Sequence, residues 1–351
     1  MELGLIGLGR SGKTTLFDAL TGQHAPTSAN ARGARTAVIK VPDPRIDRLC
    51  AVFRPRKTTY AEVIFVDPGA ERIESTSPVP FPETMAQALR DVDALVHVVR
   101  AFEDPSVARA PGSKSPAADV DNVEHELVLR DLTLVDRRVE RLRKERRPEN
   151  AAELVQMEQA LAHLDAGRPL RDIGWTEDEL QRARGYQFLS LKPAMVVLNV
   201  GEEDLTAAAP AAVAGLERFR VLRLCAQIER EIAELPAGEH LEFLRQMGLE
   251  EPARDVFVRA AYELLELISF FTVGEDEVRA WPVPRASTAV VAAGRIHSDI
   301  ARGFIRAEAI HYEDFMRVGS LPAAKSQGLL RLEGKEYGVR DGDILNFRFS
   351  V

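Results

Sequence analysis

The chain has 351 residues, enough for two or three domains, and its 45% hydrophobic and 28% charged content is that of an ordinary globular protein. A formal net charge of −8 argues against a chain-wide polyanion-binding surface, so nucleic-acid contact is left to local patches and DNA is not an expected partner. The two cysteines, Cys50 and Cys225, form no CxxC pair, which argues against structural zinc and a disulfide framework and fits a reducing cytoplasm; no apolar run reaches the roughly 20 residues of a membrane span. The start, Met1-Glu2-Leu3, has no basic n-region, so no secretory leader is expected.

The first elements are the most informative. Leu3-Gly4-Leu5-Ile6 reads as a buried strand, and Thr15-Leu16-Phe17-Asp18-Ala19-Leu20 has helical periodicity. Between them Gly7-Leu8-Gly9-Arg10-Ser11-Gly12-Lys13-Thr14 spells G-x-x-x-x-G-K-T, a phosphate-binding loop in the strand–turn–helix context it requires. Glycines let backbone N–H groups close around a triphosphate, and the helix N-terminus adds positive potential. Gly9, Arg10, Ser11, Gly12, Lys13, Thr14 and Thr15 are therefore candidate nucleotide-binding residues, with Lys13 reaching the β- and γ-phosphates as the catalytic cation and Thr14 a Mg²⁺ ligand.

Residues 23–35 are small, polar and Gly/Pro-bearing and read as a surface loop in the position of switch I, with Thr27 and Thr36 both open as the threonine offered to Mg²⁺. Val38–Val41 reads as a strand, Pro42–Arg45 as a turn, and Ile46, Leu49 and Val52 as a short helix. Ala61–Val66 is the next strand and ends in Asp67-Pro68-Gly69. An aspartate there holds Mg²⁺ through water in nucleotide folds, the alternative being a turn-forming Asp-Pro-Gly. Thr84–Arg90 looks helical and Ala94–Val99 is a buried strand, in which His97 reads as a packed, hydrogen-bonded core residue.

Val128, Leu132, Val135, Val139 and Leu142, then Leu154, Met157, Leu161 and Leu164, recur at three and four residues on either side of Pro148. That spacing predicts an antiparallel helical hairpin with a narrow apolar seam. Its first arm carries Arg137, Arg138, Arg141, Arg143, Lys144, Arg146 and Arg147, either a finger for RNA phosphates or a solvated face paired with Glu140 and Glu145. The strand pattern resumes at Ala194–Leu198, ending in Asn199-Val200-Gly201-Glu202, and at Val221–Leu224, ending in Cys225-Ala226. Alternating strands and helices predict a parallel sheet that binds ligands at its carboxyl edge, where the loop, Asp67, Asn199, Cys225 and Ala226 all fall. Val200 and Glu202 stand where guanine-specific proteins carry lysine and aspartate, and the longer acid disfavours guanine. A helix is expected over Val256–Ser269, and strands dominate beyond Phe270: Glu277–Trp281, a strand pair over Arg331–Arg340, and a last strand through Leu345, Phe347 and Phe349, with Ala301–Ile310 either helix or strand.

These stretches resemble the YchF / Obg-like ATPase family of P-loop NTPases. The likeness is carried by Phe271–Gly274 with Val278-Arg279-Ala280-Trp281, by Gly294–Asp299 with Gly303–Glu308, by Arg331–Tyr337, and by Asp341–Phe349. Upstream, Val41–Arg45, Asp91–Asp104, Gln187–Pro193 and Ala226–Glu229 add to it. The resemblance implies an α/β P-loop NTPase sheet over residues 1–270, an inserted helical hairpin at 120–190, and a C-terminal α+β β-grasp (TGS-like) domain at 271–351. It implies ATP favoured over GTP through Asn199 and Glu202, and the ribosome or ribosomal RNA as partner; Mg²⁺ as cofactor, a cytoplasmic location and a monomer are expected beside it. The loop departs from the family's GLPNVGKST at Gly9-Arg10-Ser11 and Thr14, and Asp67–Glu71 departs from its D-I-A-G, so slow hydrolysis is expected. The alternatives are a GTPase, or a nucleotide-binding ribosome-interaction protein whose hydrolysis has decayed.

Overall fold

A computed structural model of the chain describes residues 1–22, 28–29, 34–69, 83–110, 112–145, 147–205, 215–236 and 238–350. They divide into two compact units, Met1–Ile39 with Ile64–Arg254, and Lys40–Val63 with Asp255–Val351.

The first unit opens with β1 (Glu2–Ile6), α1 (Lys13–Thr21), β2 (Ser28–Ala29) and β3 (Arg35–Lys40). The chain then leaves as α2 (Pro44–Phe53) and β4 (Lys57–Thr59), which belong to the second unit, and returns as β5 (Glu62–Asp67). There follow α3 (Glu83–Leu89), β6 (Ala94–Arg100), α4 (Pro116–Glu145), α5 (Ala151–Asp165), α6 (Glu177–Ala183), β7 (Ala194–Asn199), β8 (Arg220–Leu224), α7 (Ala226–Glu234) and α8 (His240–Gln246), while α9 (Ala253–Leu264) belongs from Asp255 onward to the second unit. Among the described residues the sheet has seven strands in the order β2-β3-β5-β1-β6-β7-β8, with β1 parallel to both neighbours and β6, β7 and β8 parallel in turn. Every residue of β6 and β7 is buried, the signature of central parallel strands covered on both faces. One covering layer joins Met85, Ala86 and Leu89 of α3 to Val123 and Leu127 of α4 over Ile6, Val66 and Leu95.

At Val128 helix α4 passes from the sheet to the hairpin. Val128, Val135, Val139 and Leu142 pack on Met157, Ala160 and Leu164, with Leu132, Leu154 and Leu161 at the margins, as the spacing predicts. Asp131 fixes the root of the hairpin: it is 1% exposed and accepts from Leu189 N, Ser190 N and Ser190 Oγ. The basic arm is largely paired. Arg138 forks onto Glu153, Arg143 reaches Glu158, Arg141 reaches Glu145 and Lys144 reaches Glu140, while Arg146 lies outside the described residues.

In the second unit a six-stranded sheet, among the described residues, runs β12 (Arg331–Glu333), β11 (Phe304–His311), β13 (Asp343–Phe349), β9 (Leu267–Thr272), β10 (Glu277–Pro284) and β4. Helix α2 starts where the sequence reads a turn, because Asp43 caps it and Pro44 supplies the fixed φ of a first helical residue. Three expectations change. The helix read over Val256–Ser269 ends at Leu264; Glu266 takes φ 48° and the chain reverses, so Leu267, Ile268 and Ser269 pair with β10. Arg331–Arg340 is not a strand pair: Arg331–Glu333 pairs with β11, and Tyr337 turns inward to donate to Asp343. Ala301–Ile310 is both alternatives in turn, the end of helix Ser298–Arg302 and then β11.

Candidate functional site

The loop between β1 and α1 takes positive φ at Gly7 (138°), Arg10 (63°) and Gly12 (94°). Two of its glycines are forced by neighbours as well as by conformation. A Cβ on Gly7 would lie 2.3 Å from the Val98 carbonyl oxygen, and one on Gly12 would lie 2.2 Å from Asn199 Nδ2. Gly9 has open space around its Cα, so its role is not steric. Gly12 precedes α1 without a side-chain cap, and the first intrahelical bond is Leu16 N to Gly12 O. The amides of Lys13, Thr14 and Thr15 therefore have no intrahelical acceptor and project from the positive end of the helix.

Lys13 folds back over this loop, its Nζ donating to Gly7 O and Leu8 O at 2.8 Å each. Burial pushes its pKa down to about 8, against the opposing attraction of Asp67. Thr14 is exposed, whereas Ser11 is buried and its Oγ has no hydrogen-bond partner among the described residues. Arg10 Nη1 donates to Ala108 O and so ties the loop to the segment after β6. Arg100, 4% exposed at the tip of β6, organises that segment by donating to the carbonyls of Phe102, Asp104 and Val107.

At the end of β5, Asp67 is 1% exposed. Its Oδ1 accepts from Gly69 N, the predicted turn, while Oδ2 is buried with no hydrogen bond among the described residues. The turn-forming reading of this aspartate is thus met by one oxygen, and the other is left without a hydrogen bond. A buried carboxylate oxygen without a hydrogen bond, close enough to attract the Lys13 ammonium, suits a hydrated Mg²⁺ held mainly by phosphate oxygens, and the donor set fits that ion. The described residues contain no cluster of three or more His, Cys, Asp or Glu side chains able to hold a metal ion.

Asn199 closes the other side. Its Nδ2 donates to Ser11 O at 3.1 Å and its Oδ1 accepts from Ala226 N at 3.0 Å, bracing the loop against the start of α7. Glu202 is exposed in a short turn beyond β7. Val200 is different from the sequence expectation: it is 2% exposed and packs with Val99, Val120, Leu198 and Leu216, so its side chain belongs to the core rather than to a base. Cys225 is likewise buried, among Ile228, Ile232 and Leu244. Thr36 lies within β3, paired with Ser28, and Thr27 lies outside the described residues, as does the stretch from Ala70 to Pro82. His97 is buried as expected, but neither ring nitrogen has a hydrogen-bond partner among the described residues; burial first, then Lys13 and Arg171, hold it neutral with a pKa of about 3.

Sequence reasoning missed Arg35 and Arg100. Arg100 had a signal, a charge closing an otherwise apolar strand; Arg35, at the end of a polar loop, had none.

Residues 267–350 match the family model YchF-GTPase_C, described as a protein of unknown function (DUF933). Over its full length the chain is 39% identical to the "Ribosome-binding ATPase YchF" of Pasteurella multocida (strain Pm70), covering 99% of that protein. It is 35% identical to the protein of the same name from Bacillus subtilis (strain 168), with both chains fully covered. Among solved structures it is similar to the Schizosaccharomyces pombe YchF GTPase, with TM-score 0.86 and 26% identity over 99% of this chain and 97% of that one.

Proposed function

The chain belongs to the YchF family, and from that premise we propose that it is a Mg²⁺-dependent P-loop NTP hydrolase, favouring ATP, that associates with the ribosome in the cytoplasm. The single observation that supports this best is Lys13, a half-buried ammonium held by two loop carbonyls beside uncapped helix amides. Lys13 and the amides of Gly9 to Thr15 bind and orient the phosphates, and the fixed positive groups meet negative charge as it develops on the transferred phosphoryl group. Thr14 offers a hydroxyl to Mg²⁺ and Asp67 holds it through water; the ion neutralises phosphate charge when bound. Asn199 keeps the loop in register with α7 and leaves Ala226 beside the base, and Glu202 sets base preference. Val200 and Cys225 contribute packing. Thr36 is a weaker candidate for the metal, and the β-grasp reading of residues 271–351 goes with the family.

Calorimetry with ATP and GTP in the presence of Mg²⁺ tests this. ATP is expected to bind more tightly, and Lys13→Ala to abolish measurable binding of both. Wild-type protein that takes up neither nucleotide at millimolar concentration would overturn the proposal. Tighter binding of GTP would move the assignment to a GTPase, as the yeast relative is named. Steady-state turnover of many per second without a partner would contradict the slow hydrolysis expected from the altered Asp67-Pro68-Gly69 segment.

A further inference from the structure

The Asp67 oxygen that lacks a hydrogen bond faces a cation. Arg35, the first residue of β3, places Nη1 at 3.8 Å from Asp67 Oδ2, outside hydrogen-bond range but close enough for strong attraction at a carboxylate that is 2% exposed. The guanidinium is held there from the other side: Nη2 donates to Asp18 of α1, and its Cζ lies 4.6 Å from the centre of the Phe17 ring. Two consecutive residues of the helix that starts at the phosphate loop thus aim a cation at the carboxylate assigned to the metal.

We propose that Arg35 is a positioning residue that serves as counter-ion to Asp67 when no divalent cation is bound, so that Arg35 and Mg²⁺ compete for the same carboxylate oxygen. The proposal rests on the assignment of Asp67 to the Mg²⁺ site. A carboxylate removed from water needs a compensating positive charge. With Mg²⁺ absent, Arg35 gives it together with the Lys13 ammonium, which Asp67 also attracts. With Mg²⁺ present, two cations at one oxygen repel, while the bond to Asp18 and the stacking on Phe17 that Arg35 already makes stay in place. Two consequences follow. Arg35 raises the Mg²⁺ concentration needed to load the site, and it softens the repulsion between Asp67 and a nucleotide that arrives without metal.

The test is the Mg²⁺ dependence of ATP binding, followed by calorimetry in MgCl₂ titrations and in EDTA, for the full chain. Arg35→Ala is expected to lower the Mg²⁺ midpoint by about fivefold or more, the size of an ordinary coupling between two sites, and to weaken ATP binding in EDTA. Arg35→Gln, which keeps the packing on Phe17, gives the same result should the alanine variant fold poorly. Arg35→Lys keeps the charge and stays near the wild-type midpoint. In an Asp67→Asn background, Arg35→Ala no longer shifts the midpoint. An unchanged midpoint in both neutral variants, or a shift that persists undiminished with Asp67→Asn, would overturn the proposal. Wild-type protein that binds no nucleotide at any Mg²⁺ level would instead overturn the nucleotide-site assignment, and this inference with it.

Discussion

Lys13 is a half-buried ammonium folded over its own loop, and desolvation is the cause of the fall of its pKa to about 8. A bound triphosphate would restore the charged form by surrounding it with anionic oxygens, raising that pKa. Binding is therefore coupled to proton uptake above pH 8: below that value Lys13 is charged in both states and affinity is flat, and above it the free protein must regain a proton. Affinity for ATP is expected to fall as pH rises from 8 to 9.5, by up to about tenfold per pH unit. Calorimetry in two buffers of different ionisation enthalpy would read the proton directly; affinity flat across that range, without proton uptake, would show that Lys13 does not meet the phosphates. At this scale the sequence was most informative where chemistry is carried by local spelling, as in the loop. It was silent where a residue's role is set by what packs beside it. Asn199 was legible as a candidate but not as a brace to Ser11 and Ala226, and Val200 was read toward a base because its strand position, not its burial, was all the sequence offered.

At the scale of elements, the hairpin shows how far periodicity carries. The three-and-four spacing placed its seam correctly because a two-helix contact is written along each helix separately. Met157 is fully buried in that seam, whereas Val155 on the same helix is 56% exposed. Met157→Ala is expected to cost about 2 to 5 kcal/mol and Val155→Ala within about 0.5 kcal/mol, measured by urea denaturation; equal effects would mean that the seam is not the packed face. The root of the hairpin was not legible, since Asp131 and Ser190 are far apart in sequence. Asp131 has its pKa raised to about 6 by burial, only partly offset by its bonds to Ser190 and Leu189. A raised carboxyl binds its proton more tightly in the folded state, so its contribution to stability is fully present below about pH 4 and is lost as pH rises through 6. Removing it still hurts, because two buried amides lose their acceptor: Asp131→Ala is expected to destabilise by about 1 to 3 kcal/mol per orphaned donor. A variant as stable as wild type at pH 7 would show that water replaces the carboxylate.

For the molecule as a whole, the order of the chain and the order of its compact units differ. The segment Lys40–Val63 lies between two strands of the first sheet but packs with Asp255–Val351. Little in its sequence announces this: β4 is the three-residue, polar Lys57–Thr59, and its parallel partner Glu277–Arg279 is over 200 residues away, as the Thr59–Glu277 bond shows with a separation of 218. Such a pairing has no local signal, because parallel neighbours need not be close in sequence. What holds the segment is a small set of specific contacts. Arg45 donates to both oxygens of Asp43 and to Asp341, and lies 5.1 Å from the centre of the Phe271 ring. Asp341 in turn accepts from Ser269 N, and Phe53 at the end of α2 stacks on Phe315 at 5.2 Å. One guanidinium thereby links the cap of α2, the turn before β13 and the aromatic core of this unit. Arg45 and Asp341 are partly exposed, so solvent discounts the charge term and leaves hydrogen bonding and stacking as the larger share. Arg45→Ala is expected to destabilise the second unit by about 1 to 3 kcal/mol. Hydrogen exchange localises the effect: amides of α2 and β9 should lose protection while those of β6 and β7 keep theirs. Uniform loss across both sheets would mean instead that the two units unfold as one, and that the excursion of Lys40–Val63 couples them rather than serving only its own side.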